Sequence, residues 1–159
     1  MGTVGALIIL FLTFYVGFLF SRMQRGRQRR LECFLQLIRF MESEISCYQT
    51  PLDDIYRRFE GESLEECGFL AVLREKGMIA ALAECRHKLC FSDEEYRLLT
   101  EFSGELGKSY REEQLRFCEY YRRMLENYCA EGREELPGRL KLCRSLTVTG
   151  GLLLVILFI

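Results

Sequence analysis

Apolar and polar positions divide the chain into three parts. Residues 1–21, MGTVGALIILFLTFYVGFLFS, carry no charge, and neither does the last stretch before residue 159 except at its start, Arg144-Ser145. Between them, charged and apolar residues interleave at helical spacing. Twenty residues of helix cover about 30 Å, the thickness of a bilayer's hydrocarbon core, so 1–21 is predicted to be a transmembrane helix. Its positive charges, Arg22, Arg25, Arg27, Arg29 and Arg30, follow the apolar run. That order is the reverse of a cleaved signal peptide, and it holds the following chain in the cytoplasm. The tail Leu146–Ile159 makes only about 21 Å of helix. It has no polar face, and Arg139, Lys141 and Arg144 precede it. Arg144 can snorkel to the headgroups and lengthen the span. The expected organisation is a transmembrane helix at 1–21, a cytoplasmic helical bundle at 22–144 and a second transmembrane helix at 145–159.

Within the bundle, Leu31, Phe34, Ile38, Met41, Ile45 and Tyr48 recur at gaps of three and four, an apolar helical seam. Thr50-Pro51-Leu52-Asp53 resets the chain: Thr50 can cap, Pro51 suits a first turn, and Asp53 and Asp54 suit a positive helix end. Three capping boxes follow, Ser63-x-x-Glu66, Ser92-x-x-Glu95 and Ser109-x-x-Glu112. They predict a helix from Ser63 to near Gly77, one carrying Leu98, Leu99, Phe102 and Leu106, and a long one carrying Phe117, Tyr121, Met124 and Tyr128. Met78–Leu89 is predicted to turn Ile79, Leu82 and Ala83 to the core. Leu136-Pro137-Gly138 should interrupt the long helix, because proline lacks a donor and glycine relaxes the backbone. The fold class is all-α: an antiparallel bundle of about six helices with short turns, flanked by the two transmembrane helices.

Composition removes several chemistries. A net charge of −1 gives no bulk attraction for nucleic acid, and none is expected as a partner. The Arg22–Arg30 cluster could serve a tethered nucleic-acid binder, but its place after an apolar span makes it a headgroup anchor first. No Walker loop, HExxH, GxSxG or Rossmann fingerprint occurs. Glu42 with Glu44 and Glu65 with Glu66 are too close in sequence to face each other across a helix. The eight cysteines form no CxxC pair and fall mostly at apolar positions, as packed thiols do. One cluster, Cys85-Arg86-His87-Lys88-Leu89-Cys90, supports an alternative: a membrane-tethered redox or metal sensor using Cys85, His87 and Cys90. Its spacing matches no common zinc pattern, so no cofactor and no metal ligand are expected. No catalytic residue is expected either, and the chain reads as a non-enzyme.

Three stretches carry a family likeness. MESEISCYQTPLDDIYRRF (41–59), EFSGELGKSYREEQ (101–114) and GGLLLVILFI (150–159) resemble the stage III sporulation protein AB family. The shared features are a Glu-Ile pair before a Thr-Pro-Leu turn, a Phe-x-x-x-Leu-Gly turn before a Gln-bearing helix, and the Gly-Leu-Leu-Leu tail. The likeness covers essentially the whole chain, with Pro137-Gly138 departing from the continuous last helix it implies. The resemblance implies a non-catalytic membrane platform in a sporulation channel between mother cell and forespore. It also implies similarity to the F-type inner-membrane platform proteins of type II secretion and type IV pilus machines. The location implied is the mother-cell membrane around the forespore, with the bulk of the chain facing the cytoplasm. The partners implied are other channel proteins, including the stage III sporulation protein AA ATPase; membrane lipid is a further contact, and a homo-oligomer is compatible with this plan. Candidate partner contacts are the charged residues around the first turn, taken as outward-facing: Glu44, Asp53, Asp54, Arg57 and Arg58.

Overall fold

The computed structural model describes the backbone of residues 2–48, 50–108 and 111–158. The side chains of 2–10, 13, 14, 136, 139, 140, 143, 144, 146–148 and 151–158 lie outside that description. The described residues form seven helices and no strand: α1 (Gly2–Tyr48), α2 (Leu52–Arg58), α3 (Glu62–Glu66), α4 (Phe69–Lys76), α5 (Met78–Leu89), α6 (Asp93–Glu105) and α7 (Arg111–Phe158). They divide into two compact units, one of Met1–Gly26 with Gly132–Ile159 and one of Arg27–Glu131. Among the described residues no helix is long and apolar enough to cross a membrane. Most side chains of the predicted spans 1–21 and 145–159 lie outside the described residues, as do those of the anchors Arg139 and Arg144. Within the first unit Phe11, Leu12, Tyr15, Val16 and Phe18 are exposed apolar side chains.

The second unit is a helical bundle. Arg111 donates to the Ile45 and Ser46 carbonyls, Arg122 to Glu42, Arg39 to Glu126, and Gln28 to the Cys129 carbonyl. Early positions of α7 thus meet late positions of α1, so within this unit the two helices run antiparallel. The α1 seam is buried as predicted at Leu31, Phe34, Ile38, Met41 and Ile45, whereas Tyr48 is exposed. Cys33, Leu35 and Leu37 are buried as well, so α1 is covered on more than one face. Phe34 meets Phe69 of α4 edge-on at 4.7 Å and Phe91 at 5.5 Å. Phe102 of α6 lies 5.3 Å from Tyr121 of α7.

Several expectations need correction. The helix expected from Ser63 to Gly77 is two helices, α3 and α4, because Gly68 takes a left-handed φ of 79° between them. Ser63 is not a cap: α3 begins at Glu62 after Gly61, with no side-chain cap bond. Gly77, with φ 83° and ψ 177°, separates α4 from α5 in a conformation essentially confined to glycine. The capping box at Ser92 and Glu95 is present in full. Ser109 lies outside the described residues. Pro51, not Thr50, occupies the N-cap of α2. Ile79 and Ala83 are exposed, and α5 instead buries Met78, Ala81, Leu82, Cys85 and Leu89. On α7 the deepest side chains are Cys118, Tyr121, Leu125 and Cys129, one position round from much of the predicted stripe. Pro137 does not end α7, which continues through it to Phe158. This restores the continuous last helix that the family likeness implied.

Candidate partner-binding site

The nominated residues belong to the turn between α1 and α2. Asp53, Asp54, Arg57 and Arg58 are exposed on α2. Glu44 is not outward-facing: it is 5% exposed on α1. A carboxylate buried alone would be strongly destabilising, so it needs donors. Arg58 Nη1 donates to Glu44 Oε2 at 2.7 Å and the Thr50 hydroxyl donates to the same oxygen at 2.9 Å. Thr50 therefore ties the turn down through its side chain rather than capping α2. Glu44 is a support of the turn, and the accessible charges are those of α2.

Beside this turn lies an open cavity of about 460 Å³. Ile45, Pro51 and Leu52 supply apolar lining, and Thr50, Gly107, Arg111 and Gln114 complete it. The turn after α6 reaches the cavity because Gly107 adopts a φ of 79°. A Cβ there would sit 3.4 Å from Leu52 Cδ1, and the backbone conformation would strain any L side chain. Arg111 places its guanidinium against the last carbonyls of α1, where the helix dipole is negative. Two of the three stretches that carry the family likeness, 41–59 and 101–114, thus converge on one cavity. Sequence reasoning did not bring Ile45, Gly107, Arg111 and Gln114 together as a group; the Leu106-Gly107 turn before the Gln-bearing helix was the local signal.

The basic residues after the first apolar run are not all free. Arg22, Arg25 and Arg29 are exposed. Arg27 forms a fork with the buried Glu95, Nε to Oε2 at 3.0 Å and Nη2 to Oε1 at 2.8 Å. Arg30 donates to the Leu89 carbonyl at the end of α5. Lys141 is exposed on α7.

The alternative sensor site does not assemble. Cys85 is 3% exposed in the core, His87 is exposed, and Cys90 donates to the His87 carbonyl. Burial raises the Cys85 thiol above its ordinary range, and it pushes Cys118 up to about 11. Both thiols stay protonated near neutral pH, which disfavours attack and metal ligation. Among the described residues no group of three or more His, Cys, Asp or Glu could hold a metal ion.

A family model, stage III sporulation protein AB, matches residues 2–159. No match was found among the curated proteins or among the solved structures.

Proposed function

The chain belongs to the stage III sporulation protein AB family, and we propose that it is the non-catalytic membrane platform on which a sporulation channel assembles its ATPase. Membership makes it a sporulation-associated protein, and the match over 2–159 is the observation that carries the reading. The uncharged runs 1–21 and 146–159, each with basic residues on the side of the bundle, support membrane anchoring at both ends. The helical unit between them is the part suited to meet a cytoplasmic partner. Its α2 face, with Asp53, Asp54, Arg57 and Arg58 exposed, is the docking surface in this reading. The proposed site of action is the mother-cell membrane around the forespore. The proposed partner is the stage III sporulation protein AA ATPase, by similarity to secretion platforms.

The test is calorimetric titration of the full chain, in an uncharged detergent, with that ATPase from the same organism. Binding is expected, and Asp53→Lys with Asp54→Lys should weaken it. Titration without heat or saturation would overturn the docking reading. In non-sporulating cells producing the chain, a cysteine placed at Gly2 should react with an impermeant maleimide added outside; reaction only after permeabilisation would reverse the topology.

A further inference from the structure

We propose that the cavity between the α1–α2 turn and the start of α7 takes a segment of a partner protein that presents an aliphatic side chain flanked by Lys or Arg. This rests on the docking reading above and gives that partner's contact its chemistry. A volume of about 460 Å³ is within the range of sites that take compact groups. Ile45, Pro51 and Leu52 make it apolar, and Gly107 leaves one side without a side chain. An aliphatic group entering it would remove both surfaces from water.

The surroundings select the flanks. Asp53 and Asp54 follow the lining residue Leu52, and Glu112 and Glu113 lie between Arg111 and Gln114. All four are exposed and form no ion pair among the described residues. Each pair sits in the first turn of its helix. A helix start carries roughly half a positive charge, so two carboxylates outweigh it at each. Of the neighbouring cations, Arg58 is paired with Glu44, Arg111 lies against the α1 carbonyls and Lys108 stands 4.0 Å from Glu105, while the exposed Arg57 leaves the four carboxylates in excess. A phosphate-bearing partner would meet this acidic margin unfavourably, whereas a basic peptide would be drawn to it. Gln114 offers a donor and an acceptor at the cavity wall, the pair that a peptide backbone needs.

The probe is the fluorescent peptide Lys-Arg-Leu-Leu-Arg-Lys, titrated into the full chain in uncharged detergent and followed by anisotropy against empty micelles. A control peptide replaces both leucines with serine. Saturable binding is expected for the first, with the serine control and the Asp54→Lys/Glu113→Lys chain each weaker by roughly tenfold or more. Gln114→Trp should obstruct the cavity and weaken binding strongly; Gln114→Arg, which keeps helix propensity, should weaken it by adding charge. Equal binding of both peptides, or binding indifferent to both Gln114 variants, would overturn the proposal. Probe binding with no ATPase binding would leave the groove standing and remove the ATPase reading. ATPase binding with no probe binding would do the reverse.

Discussion

The bundle holds two buried glutamates, and they are secured differently. Glu95 and Glu44 are 3% and 5% exposed. Their links to α1, at Arg27 and at Glu44 itself, lie about 25 Å apart along that helix. Glu95 uses both oxygens: Arg27 forks across them, and the Ser92 backbone N–H donates to Oε2 as part of the capping box. The Arg27 side chain is itself only 26% exposed. Glu44 takes both its bonds on Oε2, and the Arg58 side chain that reaches it is 58% exposed. The first is a closed clasp between α1 and α6. The second is a brace under a surface turn, open to solvent on its arginine side. Burial of a carboxylate therefore says little by itself about role; what its partner faces decides.

The difference predicts unequal effects. Glu95→Ala should cost about 3–5 kcal/mol of stability, because it strands a largely buried guanidinium and leaves the Ser92 backbone N–H without its acceptor. Chemical denaturation of the full chain in detergent would measure it. Glu44→Ala should cost about 1–3 kcal/mol, since Arg58 can return to water and only the turn is loosened. Equal losses at the two sites would break the comparison. A third carboxylate, Glu126, lies nearer the surface than either, with its side chain 32% exposed. Hydrogen bonds from Arg39 and Arg122 hold its carboxyl below the ordinary 4.5. Its contribution is then fully present above that value and is lost as pH falls through the lower, folded one. Glu126→Gln should flatten this part of an acid denaturation curve by well under about 1 kcal/mol, as expected for an exposed pair. A flattening as large as the Glu95 effect would show that exposure is the wrong criterion.

Much of this arrangement was legible in the chain, and the gaps have physical causes. The α1 seam was visible because its residues repeat at helical spacing, and the Ser92–Glu95 box because both capping groups are local. Local sequence marks Arg27 as an anchor because its partner stands 68 positions away. Glu44 was read as exposed for the same reason: Arg58 and Thr50 neutralise it only after the turn forms. Ile79 and Ala83 were placed inward because several alternating apolar positions on α5 fit more than one face. Pro137 was read as a break, yet a long helix can absorb a proline when neighbouring groups take up its unmet carbonyl. The cavity escaped because its lining comes from two stretches, 45–52 and 107–114, that stand far apart in the chain.

Cys90 illustrates a last consequence. It ends α5 in the left-handed region, at φ 56°, the one described residue other than glycine to do so. A side chain in that conformation costs on the order of 1 kcal/mol relative to glycine. Relief of that cost is open to a residue that enters the left-handed region easily. Glycine or asparagine could replace the thiol there while leaving the helix end as it is, and a Cys90→Gly chain should melt no lower than the parent.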